Sequence, residues 1–204
     1  MKKIIRVGSL EGRLSIPKEA KGLVLFAHGS GSGRLSPRNN FVADVLHTAS
    51  QATLLIDLLT QEEDVNYETR FDISLLTMRL QVVFEWLKNS AETKSFPIGL
   101  FGASTGAAAA LKLAALLGNE IKAVVSRGGR PDLAMEELNK VTLPTLIIVG
   151  GNDFGVIEVN QEAFKKLKCK KAFKIVPHAT HLFEEPGTLE SVAEEAKTWF
   201  NEHF

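Results

Sequence analysis

The sequence predicts an α/β fold, with a mostly parallel central sheet covered by helices on both faces. Three observations carry that expectation. Short apolar runs alternate with helix-length amphipathic segments. One such run passes through Gly102-Ala103-Ser104-Thr105-Gly106 into the helix-forming stretch Ala107-Ala-Ala-Ala-Leu-Lys-Leu-Ala-Ala-Leu-Leu117. Beyond it, an aspartate and then a histidine pair follow later apolar runs, so serine, acid and base candidates come in that chain order.

Taken in order, short strands are expected over residues 4–7 and 12–16, forming a hairpin that leads into the sheet. Gly22-Leu-Val-Leu-Phe-Ala27 is an apolar run of buried-strand length. Further strands are expected over residues 53–58, 97–103, 122–126, 145–149 and 172–176, each separated from the next by a helix-length segment. In the helix over 72–88, Ile73, Leu76, Leu80, Val83 and Leu87 step by three or four residues and so share one face. Leu189, Val192, Ala196 and Trp199 repeat that spacing in the last helix, which should dock on the sheet and close the domain. The segments between strands hold little beyond a helix and its turns, so one domain over residues 1–204, no large lid domain and a fairly open site are expected.

Composition narrows the function classes. Hydrophobic residues make up 45% and charged residues 24%, enough to build a core and too apolar for extended disorder. Lys+Arg 24 balances Asp+Glu 24, so no overall field recruits nucleic acid or an anionic membrane surface. The longest apolar-looking stretch, residues 107–118, is interrupted by Lys112 and falls short of the roughly 20 residues a bilayer crossing needs. The basic start Met1-Lys2-Lys3 is not followed by a secretory apolar run, so a cytoplasmic location is expected. The single cysteine, Cys169, excludes an intrachain disulfide framework and a multi-thiolate metal site.

The chemistry-bearing motif is Gly-x-Ser-x-Gly between strand and helix. A serine at that sharp turn projects above the sheet, and glycines on either side let strand and helix approach without side-chain clashes. Ser104 is therefore the candidate nucleophile. Its hydroxyl is almost never ionised at neutral pH, so a base must take the proton, and histidine is the natural one. Of the five histidines, His47 and His203 fall on helical segments and His28 precedes the serine. His178 and His181 lie in the turn after the last strand, where the base is expected, and His181 is favoured. Asp153 follows the apolar strand Thr145-Leu-Ile-Ile-Val149 and a glycine turn, which frees it to point over the sheet and hold the imidazole in one tautomer. The competing reading is that Asp153 only caps the following helix, which is expected to start near Val156. Asp132 reads more simply as a charge at a helix start, and Glu158 lies inside a helix.

Acyl transfer also needs preorganised N–H donors for the oxyanion. Thr105, the residue after the nucleophile, supplies one. The second is expected from His28-Gly29-Ser30-Gly31-Ser32-Gly33, with Ser30 first and Gly31 next, while His28 holds the loop's shape. The same glycines raise a rival dinucleotide-site reading with Asp57 as ribose ligand. Only one residue separates the second and third glycines where that fingerprint needs two, and residues 37–40 are expected to delay the following helix. The Walker lysine is missing and the histidines form no metal-ligand pattern with cysteine, so no cofactor and no metal are implied.

In this order and over nearly the whole chain, HGSGSG, GASTG, GGND and HATHLF resemble the α/β-hydrolase superfamily, specifically its small dienelactone-hydrolase-like branch. The chain looks like the compact hydrolase domains that some bacteria fuse to a phosphoribosyltransferase domain. The resemblance implies an eight-stranded sheet, a Ser104–Asp153–His181 triad and hydrolysis of an ester, lactone or related acyl bond. Dienelactone hydrolases proper use a cysteine nucleophile, whereas this chain has serine, which favours a carboxylesterase-type reaction. The expected partner is a small ester or lactone. Arg127 and Arg130, in Ser126-Arg-Gly-Gly-Arg-Pro-Asp132, could bind an anionic substrate, or could instead pair with Asp132 or the acidic run at 62–64. Arg34 and Arg38 are second candidates. Neither nucleic acid nor membrane is expected as a partner, and homo-oligomerisation stays open. The alternative function is a non-catalytic binding module that keeps the elbow geometry.

Overall fold

The computed structural model describes residues 1–204. Eight strands form one sheet: β1 (Lys2–Val7), β2 (Leu10–Ser15), β3 (Gly22–Ala27), β4 (Gln51–Ile56), β5 (Ile98–Ala103), β6 (Ile121–Arg127), β7 (Thr145–Gly150) and β8 (Lys171–Val176). Their order is β1-β2-β4-β3-β5-β6-β7-β8. β1 and β2 pair antiparallel as the expected hairpin, β2 joins β4 antiparallel, and every pair from β4 to β8 is parallel.

β3, β4, β5 and β7 are buried along their whole length because helices cover both faces, which is why β3, β5 and β7 read as mainly apolar runs. On one face lie α1 (Pro37–Thr48) and α6 (Thr188–His203), with Val42, Leu46, Val192, Ala196 and Phe200 packed against Val24, Phe26, Phe101 and Val125. On the other face, α3 (Ile73–Asn89), α4 (Thr105–Leu117) and α5 (Phe154–Lys166) pack against Leu25, Leu54, Leu100 and Ile147. The predicted stripe Ile73, Leu76, Leu80, Val83 and Leu87 is buried as one face of α3. No helix is long and apolar enough to cross a membrane.

Two expectations are corrected. The segment between β6 and β7 holds only short 3₁₀ turns at Pro131–Ala134 and Leu138–Lys140, not an α-helix. α1 is not delayed past residues 37–40 but begins at Pro37, capped by the Ser36 side chain. Proline suits the first helical position because its missing N–H would have no partner there and its φ is already helical. α2 (Gln61–Val65) is a single short element held by a reciprocal capping box between Thr60 and Glu63, and it precedes α3.

Topology places the site. After β3 the chain turns to β4 on one side, then crosses to β5 on the other, so the loops leaving β3 and β5 diverge. That divergence opens a crevice at the carboxyl ends of the strands, the usual ligand position in open parallel sheets.

Candidate active site

Ser104 sits at the tip of the β5–α4 turn with φ 50° and ψ −121°, a left-handed conformation rarely adopted outside glycine. Its N–H donates to the Arg127 carbonyl at 3.2 Å, and its own carbonyl accepts from Ala107 and Arg130 at 3.0 and 3.1 Å. The flanking glycines are required by close approach. A Cβ at Gly102 would lie 2.4 Å from the Ala107 Cα, and one at Gly106 would lie 2.2 Å from the Ala27 carbonyl oxygen.

The histidine and aspartate meet across the ends of β7 and β8. His181 Nδ1 lies 2.6 Å from Asp153 Oδ2, a short hydrogen bond to a carboxylate. Asp153 occupies the position that precedes α5, which starts at Phe154 and not near Val156, yet its side chain makes no capping bond to the helix. Its carboxylate is spent on the imidazole. Their loops are tied together: the Asn152 backbone donates to Ala179 O at 2.9 Å and its side chain to His178 O at 3.0 Å. His178 itself is exposed, with φ 66°, and supplies a loop carbonyl. A Cβ on Gly128 would stand 3.5 Å from the His181 ring, and Gly128 directly follows the residue whose carbonyl holds the Ser104 amide. The serine turn and the imidazole thus flank one peptide at the end of β6.

The β3 loop meets the same turn, since a Cβ on Gly29 would be 3.0 Å from the Ser104 Cβ. The backbone N–H groups of Ser30 and Thr105 have no protein acceptor, and both residues line one narrow crevice with no room for a water-sized sphere. Gly31 lies on the exposed side of the loop with φ 66° and is outside that lining. His28 braces the loop. Its Nδ1–H donates to Gly29 O at 2.9 Å while Nε2 accepts the Leu58 N–H at 2.8 Å, an arrangement that uses both ring nitrogens. Burial pushes its pKa below the ordinary histidine value, so it stays neutral.

The arginines separate. Arg130 grips Asp132 through Nε and Nη2 at 2.9 and 2.7 Å, and that bond raises its pKa; its guanidinium is committed within its own turn. Arg34 binds Asp57 and reaches Glu11 at 2.6 Å, which also removes Asp57 from any ribose-binding role. Arg38 pairs with Glu184 at 3.0 Å. Arg127 is buried, 7% exposed, and holds no carboxylate. Sequence reasoning missed Arg70, which lines the same crevice as Ser30 and Thr105 while its Nε donates to Asp64 O at 2.7 Å. Nothing in its neighbourhood along the chain signals that position, because the contact depends on the fold of the segment after β4. Exposed apolar side chains, Leu35, Tyr67, Phe154 and Leu182, stand on the loops that follow β3, β4, β7 and β8.

Comparison with known proteins accords with this arrangement. Residues 46–204 match the model of the dienelactone hydrolase family. A curated protein of Mycobacterium tuberculosis named "Putative phosphoribosyl transferase" is 55% identical over 192 residues, covering 94% of this chain and 43% of its own length. The chain therefore spans under half the length of that relative. The crystal structure of a dienelactone hydrolase from Anabaena variabilis superposes with a TM-score of 0.95 at 51% identity, covering 100% of this chain and 97% of that one. Est1E from Butyrivibrio proteoclasticus shares the fold, with a TM-score of 0.82 at 19% identity over 98% of both chains. The chain belongs to the dienelactone hydrolase family of α/β-hydrolases.

Proposed function

We propose that this hydrolase cleaves a carboxylic ester or lactone through an acyl-enzyme on Ser104. The observation that carries the reading is the 2.6 Å pairing of His181 Nδ1 with Asp153, which leaves the far nitrogen of the same imidazole free to serve the Ser104 turn. Asp153 accepts a hydrogen bond from Nδ1–H, so Nε2 is the basic nitrogen and takes the serine proton as Oγ attacks the acyl carbon. The N–H groups of Thr105 and Ser30 receive the oxyanion. As the tetrahedral intermediate collapses, the imidazolium returns its proton to the departing alkoxide. Water, deprotonated in turn by His181, attacks the acyl-enzyme and releases the acid. The name of the Anabaena structure supports a lactone or related ester substrate, and the exposed apolar rim suits a substrate with an apolar portion.

The test is direct. A fluorophosphonate probe should label the folded protein once per chain, at Ser104, and Ser104→Ala should abolish both labelling and turnover of a small activated ester. Failure of well-folded protein to label, or retained turnover in Ser104→Ala, would assign the fold to non-catalytic binding.

A further inference from the structure

α5 buries two residues completely, Ala163 and Asn160. Asparagine is an unexpected choice for the covered face of a helix, because it is a weaker helix former than alanine or leucine and a buried carboxamide needs partners. Its Nδ2 has them. It donates to the Val156 carbonyl at 2.8 Å, one turn back, and to the Gly129 carbonyl at 2.9 Å, outside the helix. Both partners are acceptors, so the amide nitrogen faces them, and Oδ1 is left sealed from solvent with no partner. An unpaired buried acceptor lowers stability. What the side chain provides in exchange is a bond from α5 to the turn after β6.

That turn also holds the nucleophile. The Arg127 carbonyl, two residues before Gly129, accepts the Ser104 N–H at 3.2 Å, and the Arg130 N–H, one residue after it, donates to the Ser104 carbonyl at 3.1 Å. Gly129 itself is pressed against β6 and α4, since a Cβ there would lie 2.2 Å from Ser126 Oγ and 2.9 Å from Ala107 Cβ. Asn160 closes it from a third side. Asp153 stands about two helical turns before Asn160, so the two positions share one side of α5. The helix that starts at the acid is thereby bonded to the peptide that lies between the two backbone partners of Ser104.

We propose that Asn160 is a positioning residue, whose bond to Gly129 sets the placement of the Asp153–His181 pair relative to the Ser104 hydroxyl. This rests on the hydrolase reading above. Asn160 touches neither substrate nor reacting atoms, and its effect passes through the turn over residues 127–130. Without the bond, α5 is free to shift against that turn and to carry Asp153 with it, and a misplacement near 1 Å costs up to about a hundredfold in rate. Proton transfer follows substrate binding, so the loss falls on kcat and not on KM.

The experiment compares three variants on a small activated aryl ester. Asn160→Leu keeps the volume and removes the donor, and Asn160→Ala removes it without adding any bulk that could hinder folding. Both should lower kcat by about thirtyfold or more while KM stays within about threefold. Asn160→Gln, which keeps the donor on a longer arm, should recover part of that loss. A merely structural role is separated by repeating Asn160→Ala in a His181→Ala background, where residual turnover no longer uses the imidazole. There the second substitution should cost less than about threefold. The same fold loss in both backgrounds, or a kcat for Asn160→Ala within about threefold of the parent, would overturn the proposal while leaving the hydrolase reading intact. An intact protein that neither turns over the ester nor takes up a fluorophosphonate would sink the hydrolase reading and this one with it.

Discussion

Gly106→Ala tests how tightly α4 and the loop after β3 are pressed together. The added Cβ would lie 2.2 Å from the Ala27 carbonyl oxygen, 2.4 Å from that of His28 and 2.6 Å from the Ala27 carbonyl carbon. All three are backbone atoms, so no side chain can swing aside. Restoring ordinary separations requires α4 and the end of β3 to part by roughly 1 Å. Overpacking of this kind costs about 1–3 kcal/mol, which at about 2–4 °C per kcal/mol for a chain of this size lowers Tm by roughly 2–12 °C. The same displacement moves Thr105 relative to Ser30, and a misplacement near 1 Å costs up to about a hundredfold in rate. Gly155→Ala is the matched control in α5, where the new Cβ meets nothing within 4 Å; it should stabilise by about 0.4–1 kcal/mol through the unfolded chain. Thermal unfolding, ester turnover and fluorophosphonate labelling rates on both variants decide the matter. A Gly106→Ala protein with unchanged Tm and turnover would refute the close-approach argument and with it the coupling of loop to elbow.

Three further outcomes follow from particular contacts. Asp153→Asn should leave Tm within a few degrees but reduce kcat by about 10³–10⁴-fold, because an amide no longer holds the productive tautomer; kcat within tenfold of the parent would remove Asp153 from the mechanism. His28 is buried and neutral with its pKa depressed, so the unfolded chain binds a proton that the folded chain does not once pH falls below about 6.5. Urea unfolding at pH 7, 6 and 5 should then show stability falling as pH drops, by up to about 1.4 kcal/mol per pH unit from this group, until the folded-state pKa is passed; stability that rises over that range would contradict the assignment. The Asp72 carboxylate accepts the Leu75 N–H at 2.9 Å and caps α3, so Asp72→Ala should cost about 0.5–2 kcal/mol by denaturant titration.

Much of the architecture is legible along the chain because the decisive signals are local. The β3, β5 and β7 runs are apolar since both their faces are covered, and the α3 stripe repeats at helical spacing. Strand ends were displaced by one or two residues, as at β4, where Gln51 and Ala52 belong to the strand and Asp57 and Leu58 do not. The β6–β7 connection misled because its length suits a helix while its residues fold into 3₁₀ turns around Pro131. That Ser104 occupies the β5–α4 turn and that Asp153 and His181 stand near each other could be anticipated because each follows a strand that ends at the same edge of the sheet. The roles of the arginines were not, since pairing depends on which acid arrives from elsewhere: Asp132 claims Arg130 from two residues away, Glu184 reaches Arg38 across the fold, and none reaches Arg127.

By itself the sequence determined the strand-turn-helix elbow, the order of Ser104, Asp153 and His181 along the chain, and the covered sheet, because periodicity, glycine spacing and turn chemistry are properties of neighbouring residues. Only the tertiary structure decided that Asp153 faces His181 and not the helix it precedes, that Ser30 lines a narrow crevice with Thr105 and Arg70, and that one buried guanidinium was left without a counter-charge. Those outcomes depend on distances between segments up to a hundred residues apart, set by sheet order and packing, on which local pattern carries no information.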